Sequence, residues 1–397
     1  MMDLFAKAEI RHTKGSRTAS AAADQVLSEQ DFANAWAEIT AWDGYAATPL
    51  VDLSNLASTL AISQILYKHE GPRFGLGSFK ALGAAYAALR VLQREVSRQI
   101  GQGASLSSIR SGEHAAICSQ ITLVSATDGN HGRSLAWGCQ RFGVPCRIYI
   151  HAEVSEGRAQ AMRDLGAKVI RIDGDYDASV ALARDEAEEN GWFVVSDTSW
   201  PGYSEPPRDV MAGYGVMTSE TCEAMDQAPT HIFLQGGVGG LAASVAAGLR
   251  QYWKDDAPRV VIVEPDLADC LYESAKAGRA TTVAIAEETI MAGLSCGEPS
   301  QMAWEILEQE ASDFVTIPDS VVAPTVRLLA RPQGTDPVVE AGESAVAGLA
   351  ALIAARQTPE LSQTLGLNAQ SRVLLIGSEG ITDPEIFNQI MAEKHDV

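Results

Sequence analysis

The chain has 397 residues, enough for two domains with buried cores, and its 46% hydrophobic and 20% charged residues exclude a disordered polymer. Its 51 Asp and Glu against 30 Lys and Arg give a formal charge of -21, which repels phosphate backbones and anionic lipid, so neither nucleic acid nor membrane is an expected partner. The six cysteines have no CxxC spacing, so neither a metal site nor a disulfide framework is expected.

The N-terminal MMDLFAKAEI lacks a basic stretch followed by an apolar core, and no apolar run approaches the roughly 20 residues that span a bilayer. A cytoplasmic address is expected. The first informative run is RFGLGSFKALGAAY, residues 73–86, where Lys80 follows two glycines and a phenylalanine and precedes a small-residue helical pattern. An amine so placed can anchor an aldehyde cofactor. Residues 99–114, rich in Gly and Ser, are expected to form a loose connection.

Apolar runs at 121–124, 146–150, 168–172, 193–195, 231–235, 260–263 and 372–376 alternate with alanine-rich helical patterns, which predicts an α/β fold with mostly parallel sheet. A helix over 155–165 makes 146–172 a strand-helix-strand unit. A smaller domain is expected at about 91–219, inserted between two parts of a larger one, 1–90 and 220–397.

Three of these strands end in segments suited to a ligand. SATDGNHGR, residues 125–133, precedes the helical pattern 134–142, so its backbone N–H groups can face a carboxylate, and the Asn130 amide can reach a ring oxygen. A polar strand-to-helix loop is the plain alternative. QGGVGGL, residues 235–241, offers Gly236, Gly237, Val238, Gly239 and Gly240, whose backbone can close around a phosphate. It lacks the Lys-Ser/Thr ending of a nucleoside triphosphate loop and has poor dinucleotide spacing. IGSEG, residues 376–380, places the Ser378 hydroxyl where it can bond a pyridine nitrogen without holding the ring protonated, a choice that favours β-elimination over transamination; a capped surface turn is the alternative.

Together these segments resemble the fold type II pyridoxal phosphate enzymes, tryptophan synthase β-like, and more closely the diaminopropionate ammonia-lyases. The resemblance runs over nearly the whole chain, through Arg73 to Tyr86, Thr127 to Arg133, Asp197-Thr198 with Gly202-Tyr203, the glycines at 236–240, VEPD at 263–266 with Ala268-Asp269-Cys270, MAGL at 291–294 with CGEP at 296–299, and Gly342-Glu343-Ser344. It implies two open parallel-sheet α/β domains with pyridoxal 5'-phosphate in the cleft between them, and a homodimer. Lys80 then carries the Schiff base, the glycine run binds phosphate, and Thr127, His131 and Asp197 meet the amino-acid substrate.

Asp128 is the discriminating residue, because dehydratases of this fold usually have a small or hydroxyl residue there. The resemblance implies that Lys80 takes the Cα proton of an L substrate and Asp128 that of a D substrate. The product aminoacrylate then hydrolyses to pyruvate. Most Asp-Gly pairs are simply turns. Asp197 is either an ammonium ligand or a turn cap, and His131 either a loop support or a carboxylate contact. Trp200 to Pro207 form either a lid or a packed loop. Cys270 and Cys296 are either buried thiols or a redox-sensitive pair.

Gly77-Ser78 and Gly377 depart from the pattern of some members and can retune the pocket toward serine or 3-hydroxyaspartate. A serine/threonine or 3-hydroxyaspartate dehydratase, or a β-replacement synthase, is therefore the second reading. A non-catalytic amino-acid-binding or nucleotide-binding protein is the third, and Lys80 argues against it.

Overall fold

The computed structural model describes residues 2–18, 22–127, 129–174 and 176–392. It divides into two compact units. The first comprises residues 1–29, 47–78 and 217–397, and the second residues 30–46 and 79–216.

Among the described residues eleven strands are formed: β1 Arg11–Lys14, β2 Leu50–Asp52, β3 Gln64–His69, β4 Leu123–Ala126, β5 Cys146–Ile150, β6 Lys168–Arg171, β7 Phe193–Val194, β8 His231–Gln235, β9 Arg259–Pro265, β10 Asp313–Ile317 and β11 Arg372–Gly377. The first unit holds a seven-stranded sheet in the order β1-β10-β9-β8-β11-β3-β2. Its five central strands are parallel, and the two edges, β1 and β2, run antiparallel to their neighbours. The second unit holds a parallel four-stranded sheet in the order β6-β5-β4-β7.

Central strands covered on both faces are mostly apolar, and every residue of β8 and β10 is buried, the polar His231, Gln235, Asp313 and Thr316 included. The helix Ala347–Gln357 buries all of its first nine residues in the core of the first unit, with Phe233, Val261 and Val315 of the sheet. Each such large side chain stabilises the fold by about 1.5–3 kcal/mol. No helix among the described residues is long and apolar enough to cross a membrane.

The observed unit boundaries differ from the expected ones. The boundary expected near residue 90 falls at 78/79, because the helix Lys80–Ile100 packs on the helix Asn130–Phe142 of the second unit, where a Cβ on Gly138 would stand 2.8 Å from Ala85 Cα. The other falls at 216/217, inside the helix Glu205–Glu223. Residues 30–46 return to the second unit: Trp42 packs edge-on to Trp137 and Phe142, with ring centroids 5.8 and 6.2 Å away, and Glu38 pairs with Arg110 at 2.7 Å. The loose connection expected at 99–114 contains the short helix Leu106–Arg110, whose N-cap Ser105 accepts the Ser108 N–H at 3.0 Å. A second short helix, Ala115–Cys118, follows.

Candidate active site

Lys80 is the first residue of its helix. The chain reaches it through Phe74, Gly75 and Gly77, all left-handed, with φ of 49°, 71° and 83°. Phe74 is the costly one, because such a backbone persists in a bulky residue only where its surroundings enforce it. The enforcement is a buried ionic network in the first unit. Arg73 donates to Glu70 from Nε and Nη2 at 2.8 and 2.9 Å, and to Glu220 from Nη1 and Nη2 at 2.7 Å each. Lys68 donates to Glu220 at 2.6 Å and to the Thr48 carbonyl at 2.7 Å.

Two cations meet two carboxylates, and all four residues are buried. Burial alone pushes Glu220 up, but its bonds to Arg73 and Lys68 hold it below the ordinary carboxylate range. Beyond the network, Ser78 bridges to Glu379 and Gly77 accepts the Gly380 N–H at 2.8 Å, so this segment is tied to the end of β11.

Within the second unit, Lys80 Nζ pairs with Asp197 Oδ2, which follows β7 as expected. Burial pushes the Asp197 carboxyl up, yet Lys80 and then His131 hold it well below the usual range. His131 Nε2 lies 2.9 Å from the Val195 carbonyl, which only accepts, so Nε2 carries the proton and Nδ1 keeps its lone pair. That Nδ1 stands 3.6 Å from Asp197 Oδ2. Burial lowers the His131 pKa, and Lys80 lowers it further against the opposing pull of Asp197, which keeps the ring neutral.

Thr127 Oγ1 accepts the N–H groups of Gly129 and Gly132 at 3.1 and 3.3 Å, so its hydroxyl braces the turn into the helix that Asn130 opens. Asp128 lies outside the described residues. Lys80, His131 and Asp197 are thus brought together, with the Thr127 to Asn130 turn in the same unit.

Two aromatic rings flank the amine: Phe79, the phenylalanine that precedes it in the sequence, and Tyr214, which no sequence motif marks. Lys80 Nζ is 5.3 Å from the Phe79 centroid and 5.8 Å from that of Tyr214, and the two rings are 4.6 Å apart. The signal for Tyr214 is slight, an aromatic between Gly213 and Gly215 in an apolar helix. In the 200–207 segment Trp200 stacks on Tyr203 with centroids 4.0 Å apart, under the Arg184 guanidinium at 3.5 Å. The Tyr203 hydroxyl donates to the Val194 carbonyl at 2.9 Å and accepts from Ser196 N at 3.0 Å. From Glu205 the chain is helical, so this segment is a pinned turn running into a helix.

The first unit carries the glycine run between β8 and the 14-residue helix Gly240–Trp253. Gly237 and Gly239 have φ of 61° and 93°, and a Cβ on Gly236 would stand 2.4 Å from Glu264 Cγ. A bare, left-handed turn at a helix N-terminus exposes backbone donors to an anion. Below it, Glu264 accepts the N–H groups of Leu271 and Tyr272 at 2.9 and 2.7 Å, and burial pushes its carboxyl up to about 8. Cys270 Sγ lies 3.6 Å from the Gly237 carbonyl, and a Cβ on Gly237 would stand 3.7 Å from Cys296 Sγ; both cysteines are free thiols. Ser378 follows β11 and is buried, with Oγ accepting from Gln235 Nε2 at 3.4 Å.

The second unit offers a part-buried amine, and the first offers a side-chain-free anion cradle and a buried uncharged hydroxyl, group types that can anchor an aldehyde, seat a phosphate and meet a ring nitrogen. A family model described as pyridoxal-phosphate dependent enzyme matches residues 41–378, and the chain belongs to that family, with the fold type II architecture. The chain is 39% identical over 361 residues to the diaminopropionate ammonia-lyase of Escherichia coli (strain K12), covering 89% of each chain. A crystal structure of the Escherichia coli diaminopropionate ammonia-lyase in complex with D-serine is similar at a TM-score of 0.89 and 35% identity, over 97% of both chains. A second structure of that enzyme, with an aminoacrylate-PLP azomethine reaction intermediate, gives 0.87 over the same coverage.

Proposed function

We propose that the chain is a pyridoxal phosphate-dependent carbon–nitrogen lyase that eliminates ammonia from D- and L-2,3-diaminopropionate, giving pyruvate and a second ammonia. The observation that carries this reading is the pairing of the Lys80 amine with Asp197, a carboxylate suited to a substrate with two amino groups, in a chain similar along 89% of its length to an enzyme named for that substrate. Bound pyridoxal phosphate supplies an electron sink for the pair left at Cα.

The chain's own residues do the rest. Gly236, Gly237, Val238, Gly239 and Gly240 hold the phosphate, Ser378 Oγ the ring nitrogen and the Asn130 amide the ring oxygen. Lys80 Nζ anchors the aldehyde and takes the Cα proton of the L isomer, while the Asp128 carboxylate takes that of the D isomer. Thr127 and His131 shape the carboxylate side of the substrate, and Asp197 attracts its ammonium. Ser378, being uncharged, leaves the ring nitrogen unprotonated, which favours loss of the β-substituent over transfer of the α-amine. The chain works as a homodimer on a small amino acid in the cytoplasm.

Steady-state pyruvate formation from D- and L-diaminopropionate, D- and L-serine and 3-hydroxyaspartate tests the reading. The diamino acid should be turned over fastest, and Asp128→Asn should cost the D isomer more than the L isomer. Faster turnover of serine would replace this reading with a dehydratase, the class favoured by the D-serine bound to the similar structure.

A further inference from the structure

Among the described residues of the second unit, two deeply buried atoms beside the Lys80 cluster lack a close hydrogen-bond partner: His131 Nδ1, and Tyr214 Oη, whose nearby donor is the Lys80 amine. Tyr214 is 1% exposed and His131 5%. Buried polar atoms so poorly met are costly to a fold, and a ligand can supply what they lack. The charge of Lys80 acts on both groups, and its partner Asp197 stands 3.6 Å from the histidine nitrogen. The fold makes room for the phenol at the expense of side chains elsewhere: a Cβ on Gly83, one helical turn after Lys80, would stand 2.4 Å from Tyr214 Cε1.

The three groups share one property. A carboxylate accepts, the lone pair on His131 Nδ1 accepts, and a phenol oxygen accepts, while the rings of Phe79 and Tyr214 face a cation. A primary ammonium has three N–H donors. An alcohol has one.

We propose that Tyr214 Oη and His131 Nδ1 complete, with Asp197, a three-acceptor seat for a primary ammonium group, with Lys80's own amine at its Asp197 corner in this structure and the substrate's β-ammonium entering it once Lys80 is engaged elsewhere. The proposal rests on the diamino-acid reading above and adds the residue that separates a diamino acid from its hydroxy analogue. A β-hydroxyl gives the phenol only a neutral hydrogen bond, donated by Tyr214 itself, and leaves His131 Nδ1 unmet, which is how a polar site disfavours a near-isostere. Tyr214 is then a specificity-determining residue.

Two measurements on Tyr214→Phe, a conservative change, test this. In the holoenzyme, kcat/KM for 2,3-diaminopropionate should fall by about 10- to 100-fold, the range for a lost hydrogen bond to a charged group, with a markedly smaller loss, of about a few-fold, for D-serine. Equal losses for both substrates would overturn the seat. The second measurement needs no turnover: the cofactor-free Lys80→Ala protein is titrated with ethylammonium chloride by calorimetry, with ethanol as control. Ethylammonium should bind, ethanol should not, and adding Tyr214→Phe should weaken the binding. Binding indifferent to Tyr214, or absent from Lys80→Ala, would overturn the proposal. If the wild-type enzyme ignores diaminopropionate, the diamino-acid reading falls, and the ethylammonium titration still decides on the seat.

Discussion

The ionic network around Arg73 and the cluster around Lys80 are made from similar side chains, and they differ in satisfaction. In the network, two cations and two carboxylates are matched by hydrogen bonds of 2.6–2.9 Å in the dry interior of the first unit. In the cluster, the lysine meets a carboxylate and faces a phenol that has no close partner, while a buried histidine nitrogen makes no hydrogen bond. A fully matched buried network has nothing left to bind with, and its work is to hold shape. An incompletely matched one leaves groups able to meet a ligand.

That contrast can be broken or sharpened. The largest effect expected is on chemistry: Lys80→Ala should reduce turnover by at least about 10³-fold and abolish the yellow absorbance of the loaded protein. Retention of the absorbance would remove Lys80 as the anchor. Next comes stability. Arg73→Met leaves Glu70 without a cation in the interior and Glu220 with Lys68 alone, and should cost about 3–5 kcal/mol in urea unfolding. Asp197→Asn, in the partly solvated cluster, should cost far less stability and far more activity; the reverse order would erase the distinction between the two regions.

A smaller effect is expected at the cradle. Gly236→Ala sets a methyl group against Glu264 and should weaken cofactor retention, read by equilibrium dialysis, by about 5- to 100-fold. The smallest effect is a pH slope. Glu220 is held below its ordinary range in the folded chain, so its contribution is complete above the unfolded carboxylate pKa and is lost as the pH falls through its depressed folded value. Glu220→Gln should therefore flatten the acid limb of the stability curve below about pH 4.5.

Legibility in the sequence followed the locality of each signal. The glycine run, the Lys80 segment and the strands β5 and β8 are contiguous patterns, and β5 and β8 span the expected 146–150 and 231–235. β3, β10 and the edge strands were not legible. β3 reads QILYKH, and the lysine and histidine at its end suggest a surface until Glu220, far along the chain, neutralises Lys68 in the interior. β1 reads RHTK, polar throughout, and is a strand because it lies along the edge of β10. The return of residues 30–46 to the second unit and the approach of Tyr214 to Lys80 are likewise three-dimensional facts, joining positions that no short window contains.

The carboxyl of Glu264 beneath Gly236 also bears on how such a chain can vary. The space that a side chain at 236 would need is already filled from 264, and the same Glu264 fastens the first turn of the helix Cys270–Ala277. The two positions are one unit of change: a larger residue in the turn is admissible only with a shorter one at 264, and shortening 264 unfastens a helix. The bare turn is therefore written twice in the chain, once in its glycines and once in the glutamate that keeps them bare.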